Sequence, residues 1–245
     1  MKQGLFQVTD NTALTDSVQR LTLQGDASAI RLPGQFVELK TEGMFLRRPF
    51  SVCDWDDKGF TVVFDTVGRG TELLRALRPG DAVDALTGLG NGFDLSRAGD
   101  RPLLVGGGTG FTPVYAMAKA LRREGKTPTV ILGFASRDKI CYENEFRALG
   151  VELRITTADG SYAQKGFVTD AMDDLSPSYF YACGPEPMLR ALCLRSKAEG
   201  EMSFEARMGC GFGACMGCSR PTKHGLKRVC KDGPVFTKEE VLWED

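Results

Sequence analysis

Four cysteines near the C-terminal end carry the clearest chemistry in this chain. Cys210, Cys215, Cys218 and Cys230 are spaced C-x4-C-x2-C-x11-C. A C-x4-C-x2-C triplet followed by a more distant fourth thiol is the ligand pattern of a plant-type [2Fe–2S] centre, which moves electrons singly. Gly209, Gly211, Gly213 and Gly217 are interleaved with the ligands. They let a loop wrap a cluster and bring backbone N–H groups to its sulfurs. Zinc also accepts four thiolates, but its modules tend to present paired C-x2-C knuckles; it stays as the alternative that metal analysis would separate. The one histidine, His224, falls inside the frame. With four thiols already available, it reads as a solvated loop residue.

Two glycine elbows suggest a nucleotide. Residues 106–113, GGGTGFTP, follow an apolar run and open a helix pattern. There a helix N-terminus and bare backbone N–H groups can hold a pyrophosphate. Phe111 occupies the last glycine position of G-x-G-x-x-G, so this is not the Rossmann fingerprint. Cys183-Gly184-Pro185 forms a second elbow, and ligands of open α/β sheets bind outside the carboxyl ends of the strands. Gly107, Gly108, Thr109, Gly110, Cys183, Gly184 and Pro185 are therefore the candidate contacts for a nucleotide. Nearer the start, Arg48-Pro49-Phe50-Ser51 offers a cation, an aromatic face and a hydroxyl in succession. Gly68-Arg69-Gly70-Thr71 runs into a second helix start primed for phosphate. A cationic strand and an anion-ready helix in one β-rich region fit a dinucleotide such as FAD.

The elements needed to position these groups follow from pattern. Residues 1–98 read as an antiparallel β-barrel, with QRLTLQG, QFVELKT, PFSVCDW and GFTVVFDTV alternating at strand period. One helix interrupts them, with Thr71 as its predicted cap and Pro79-Gly80 as its end. Residues 99–202 alternate strands with helices, which implies a doubly wound parallel α/β sheet. Its strands are PLLVGGG, TVILGFAS, VELRITTA and YFYACG; its helices are VYAMAKALRRE, capped by Thr112, then KICYENEFRALG, GFVTDAMDDL and PEPMLRALCLRSKAEG. MSFEAR is expected as a last strand leading to a cysteine-bearing segment, residues 203–245.

Composition narrows the field further. The 245 residues are 42% hydrophobic and 26% charged with net charge −1, so neither nucleic acid nor an acidic membrane is an indicated partner. No run approaches the roughly 18 apolar residues of a membrane span, and no signal peptide is evident, so a cytoplasmic protein is expected. Eight cysteines without a secretory signal point to metal or redox chemistry. Cys53, Cys141 and Cys193 read as small buried hydrophobes.

Together, these motifs resemble the ferredoxin–NADP reductase superfamily, which joins a flavin-binding barrel to a nicotinamide-binding α/β domain. Arg48 to Ser51 match its flavin motif, with Phe50 where tyrosine is commoner; residues 106–113 and 183–185 match its GGGTG and CGP turns. Residues 88–93 match its inter-domain segment, without the usual proline. The resemblance implies that Arg48, Gly70 and Thr71 meet the FAD phosphates and that Ser51 bonds near the reactive edge of the flavin. It also implies that Pro49, Phe50, Val63, Phe64 and Asp65 line the ring, that the nucleotide at the two glycine elbows is NAD and that Cys183 lies near the nicotinamide. The terminal frame, with DGPVF and EEVLW after it, is similar to the family of electron-transfer subunits serving B-type dihydroorotate dehydrogenases. That implies a partner subunit carrying FMN, two copies of each subunit, and a relay through [2Fe–2S] and FAD to NAD with no catalytic side chain. The small subunit of NADH-dependent ferredoxin–NADP oxidoreductase shares the same frame. Ala135-Ser136-Arg137-Asp138 leaves NAD against NADP open, since Arg137 could hold a 2′-phosphate that Asp138 would repel.

Overall fold

In the computed structural model, residues 1–243 are described; the last two residues of the 203–245 segment lie outside them. Six antiparallel strands close into a barrel: β1 (Lys2–Ala13), β2 (Val18–Gln24), β3 (Phe36–Leu39), β4 (Arg48–Asp56), β5 (Gly59–Asp65) and β6 (Ala82–Leu89), in the order β1-β2-β5-β4-β3-β6. Alternate side chains turn inward, as the strand period requires. Phe6, Leu21, Val37, Phe60, Val62 and Val83 fill the interior. β1 and β6, which close the barrel, are two strands that the sequence reading did not single out. Helix α1 (Arg69–Arg75) follows β5. Thr71 is its third residue rather than its cap: Gly68 takes the cap position. The Thr71 hydroxyl instead donates to Gly68 O (2.9 Å) and accepts from Val67 N (3.0 Å), which tightens the turn from within.

The second layer is a sheet of β7 (Pro102–Gly107), β8 (Thr129–Phe134), β9 (Glu152–Thr157), β10 (Gln164–Lys165), β11 (Tyr179–Cys183) and β12 (Gly200–Ser203). These strands are parallel in the order β10-β9-β8-β7-β11-β12. β7 and β11 are buried throughout, which explains their continuous rather than alternating apolarity. Helix α2 (Phe111–Arg123) begins one residue before Thr112, with Gly110 as its cap. Within KICYENEFRALG only Glu143–Ala148 is helical (α3), with Tyr142 at φ 65° in its cap position, after a 3-10 turn at Arg137–Lys139. GFVTDAMDDL forms only a 3-10 turn, Val168–Ala171, and α4 (Glu186–Arg195) stops well before Gly200.

The cysteine segment is sewn to both layers. After a hairpin of β13 (Ser219–Thr222) and β14 (Gly225–Arg228), β15 (Val235–Thr237) adds antiparallel to β12. Asn91, between barrel and sheet, clasps the start of β15. Its side chain donates to Val235 O (2.8 Å) and accepts from Val235 N (3.1 Å), and its backbone N–H donates to Gly233 O (2.8 Å). A register shift between Val52 and Asp54 in β4 marks a bulge at Cys53, a device that re-aims a side chain. Cys53 thereby joins the core of Met117 and Tyr142 in the α/β layer, and the adjacent Asp54 accepts from Lys119 (2.5 Å). Among the described residues no helix is long and apolar enough to cross a membrane.

Candidate functional site

One cavity of about 390 Å³ is bounded by all three parts of the chain, within the size range of small-molecule sites. The barrel supplies Pro49, Phe50 and Ser51 from β4 and Val63, Phe64 and Asp65 from β5; the α/β layer supplies Thr109, Gly110 and Cys183. The cysteine segment supplies Ala206, Met208 and Pro234. Six residues expected around a flavin and three expected around a nicotinamide thus face a common space. Phe50 and Phe64 pack with ring centroids 5.0 Å apart on its wall. Phe36, Ser203, Phe204 and Glu205 also line it, and the sequence reading passed over them. A second groove, of about 370 Å³ near Trp55 and Arg123, contains none of the motif residues.

Arg48, Gly70 and Thr71 form a neighbouring group outside the cavity lining. The Arg48 side chain passes directly over Gly70, where an added Cβ would lie 2.4 Å from Nε. Arg48 Nη1 donates to Leu46 O (2.9 Å), which fixes its path. Arg47 beside it is anchored to Asp84 (2.7 Å) on β6. The first N–H groups of α1 have no partner within the helix, so a guanidinium and helix N–H donors meet at one place. That combination suits a phosphate.

The two glycine elbows are packed backbone to backbone. A Cβ on Gly110 would lie 2.2 Å from Cys183 O, and one on Gly184 would lie 3.0 Å from Gly107 N. Gly108 has φ 53°, a left-handed turn that favours glycine. Gly107, Gly184 and Pro185 sit in this contact rather than on the cavity surface: a Cβ on Gly107 would lie 3.0 Å from Pro185 Cδ. Cys183 is 3% exposed. Burial pushes its thiol up to about 12, with Glu205 adding and Ser203 opposing, so it stays protonated and is no nucleophile. At the end of β8, the Arg137 guanidinium lies 5.6 Å from the Tyr162 ring centroid, engaged with that aromatic face. The Ser136 hydroxyl holds the Asp138 carboxyl below its ordinary range.

The four frame cysteines come together as two pairs. Cys210 Sγ accepts from Ala214 N (3.2 Å) and Cys215 N (3.4 Å), and Cys218 Sγ accepts from Cys230 N (3.4 Å). Side-chain contacts likewise join Cys210 to Cys215 and Cys218 to Cys230. Two irons held by four thiolates take two each, so the donor set fits a [2Fe–2S] centre. Among the described residues, no group of three or more His, Cys, Asp or Glu side chains is drawn together as a metal-ion site. Burial opposes ionisation of Cys210, but N–H groups of Cys215, Phe212 and Ala214 bring its thiol down to about 6. Cys215 is exposed, whereas Cys218 and Cys230 are buried. Gly211 (φ 73°) and Gly213 (φ 92°) make the loop's left-handed turns. His224 is exposed in the turn between β13 and β14. Glu38, a residue without any motif, lies buried beside this loop; burial pushes its carboxyl up to about 7, Cys210 adding and Arg47 opposing.

Comparison with known proteins follows the same division. Residues 205–242 match the family model for the iron–sulfur cluster binding domain of dihydroorotate dehydrogenase B, and residues 104–194 match the oxidoreductase NAD-binding domain. The dihydroorotate dehydrogenase B (NAD+) electron transfer subunit of Geobacillus sp. (strain WCH70) is 41% identical, with 99% of each chain covered. Its counterpart from Bacillus caldolyticus is 43% identical, with 96% of each covered. A solved structure of the NADH-dependent reduced ferredoxin–NADP oxidoreductase superposes with a TM-score of 0.89 at 31% identity, covering 98% of this chain and 90% of that one. A ferredoxin reductase of carbazole 1,9a-dioxygenase shares the fold at TM-score 0.67 and 22% identity, covering 78% and 63%. The chain belongs to the family of dihydroorotate dehydrogenase B (NAD+) electron transfer subunits.

Proposed function

We propose that this chain is the electron-transfer subunit that takes electrons from an FMN-containing catalytic subunit oxidising dihydroorotate to orotate and delivers them to NAD+, a step of pyrimidine synthesis. Its cofactors are a [2Fe–2S] cluster, FAD and NAD. When bound, the cluster moves single electrons and the flavin exchanges them in pairs, as hydride, with the nicotinamide. The observation that carries the reading is the shared cavity: barrel, α/β sheet and cysteine segment each present a wall to it.

The chain's own residues bind and orient. Cys210 and Cys215 hold one iron; Cys218 and Cys230 hold the other. Arg48, with Gly70 and Thr71, receives the FAD phosphates, while Pro49, Phe50, Val63, Phe64 and Asp65 flank the ring and Ser51 bonds at its edge. With Phe50 in place of tyrosine, that wall offers no phenol. Thr109 and Gly110 face the nicotinamide side with Cys183, whose protonated thiol shapes the contact without reacting. Gly107, Gly108, Gly184 and Pro185 keep the two elbows close enough for that geometry. Arg137, engaged with Tyr162, and the ionised Asp138 favour NAD over a 2′-phosphorylated cofactor. The working division is residues 1–98 for FAD, 99–202 for NAD and 203–245 for the cluster. Two copies of each subunit, in the cytoplasm, complete the proposal.

The test is co-expression with an FMN subunit encoded beside it. Dihydroorotate-dependent NADH formation by the purified pair is the expected result. A pair that forms without that activity would remove the substrate assignment. The likeness to NADH-dependent ferredoxin–NADP oxidoreductase supports a second reading, in which the chain is the small FAD/[2Fe–2S] subunit of such a complex. A large flavin and [4Fe–4S] partner, with NADPH-dependent ferredoxin reduction, would be its signature.

A further inference from the structure

Glu38 is a carboxylic acid where a barrel strand would ordinarily carry something that can face either oil or water. Its neighbours Val37 and Leu39 fill the barrel core, so the strand period turns Glu38 to the outside. Yet only 1% of it is exposed. The cysteine loop covers it. A Cβ on Gly211 would lie 2.2 Å from Glu38 Cδ and within 2.4 Å of both carboxyl oxygens. The turn that directly follows Cys210 therefore rests on this carboxyl group. Glu38 Oε1 is buried without a hydrogen-bond partner. Arg47, the cation that acts on it, donates instead to Asp84 Oδ2 (2.7 Å) and Asp84 O (2.9 Å). A buried acid left this way costs stability, and an apolar side chain of the same size would relieve that cost. Stability alone gives no reason for glutamate here.

We infer that Glu38 is a positioning residue for the iron–sulfur site: from the wall of the flavin barrel it props the Gly211 turn and sets the charge environment at Cys210. The inference rests on the four cysteines holding the cluster. Charge, hydrogen bonding and burial around the sulfurs set the reduction potential of such a centre. In its ionised form, a carboxyl group pressed against the ligand loop opposes the arrival of an electron. Phe36, two residues earlier on β3, lines the cavity, so one short strand touches both redox sites and ties their spacing to the same backbone.

The experiment is an anaerobic redox titration of the complete complex, followed by EPR, comparing wild type with Glu38→Gln. The amide keeps the shape and removes the charge. The cluster's midpoint potential should rise, shifting its oxidised-to-reduced ratio roughly tenfold, about 59 mV for a one-electron couple, while the flavin's potential stays in place. A cluster potential and g-values identical to wild type overturn the inference, as does a fall in potential. If the Gln variant fails to load iron, Glu38→Asp keeps the charge but withdraws it by one methylene. It should shift the potential in the same direction by less and alter the g-values; identity with wild type again overturns the role. Absence of any cluster signal in the wild type overturns the cluster reading itself, and this inference with it.

Discussion

Replacing Gly110 by alanine tests the claim that the two glycine elbows must touch. The new Cβ would lie 2.2 Å from Cys183 O, 2.5 Å from Cys183 C and 2.9 Å from Gly184 Cα. Ordinary contact begins near 3.4 Å, so the facing turn has to retreat by more than an ångström. The obstacle is backbone, not a side chain that can swing aside. At φ −60° alanine is conformationally acceptable and would by itself stabilise by about 0.4–1 kcal/mol through the unfolded chain. Overpacking of a tight contact costs about 1–3 kcal/mol, so the steric effect wins. If the whole displacement falls on the nicotinamide site, the KM for NADH should rise about 5–150-fold, the free-energy range converted to a ratio. The assay is NADH-dependent dye reduction, which needs no partner subunit, run beside flavin and iron analysis and a thermal melt. Retained FAD and cluster with a raised KM is the expected pattern. A KM and melting temperature both within twofold and a degree or so of wild type would refute the packed-elbow account.

Three other perturbations separate the remaining parts of the site. Arg48→Glu should lower FAD occupancy of the purified protein, because an acid would replace the guanidinium over Gly70; full flavin content would remove Arg48 from the site. Cys215→Ser should abolish the cluster's EPR signal while sparing FAD and direct NADH–dye reduction; loss of all three would make the cysteine segment a structural requirement of the whole chain. Burial raises the Asp84 carboxyl, but hydrogen bonds from Arg47 and Gln3 outweigh it and hold the group below its ordinary 3.8. The stabilisation is therefore full above that value and lost as the pH falls through the lower folded one. Asp84→Asn should cost about 1–2 kcal/mol at neutral pH and progressively less in acid, read by urea melts; a cost that does not change with pH would argue against the ion pair.

The parts most legible in the sequence were those whose chemistry is local. The cysteine ligands lie within one loop and a short return, so their spacing alone carries the chemistry. Arg48 to Ser51 and residues 106–113 are contiguous for the same reason. What stayed hidden depends on distant pairing. Residues 203–206 and Met208 reach the cavity because β12 pairs with β11, and Pro234 because β15, three residues long, adds to β12. No periodicity can be read from three residues. Tyr142 held the start of the expected helix back to Glu143 because its backbone is left-handed, a conformation that tyrosine does not advertise. Thr71 and Thr112 were plausible caps by type, yet Gly68 and Gly110 took those positions. Glu38 carried no signal at all, since its burial comes from a loop more than 170 residues away.

Everything in this account requires iron and flavin in the same polypeptide. The direct measurement is quantitative metal and flavin analysis of anaerobically purified protein, with EPR after dithionite reduction. It should give two irons and one FAD per chain, no zinc, and a signal from a single unpaired spin on the reduced cluster. A colourless protein holding zinc, silent under EPR, would contradict it.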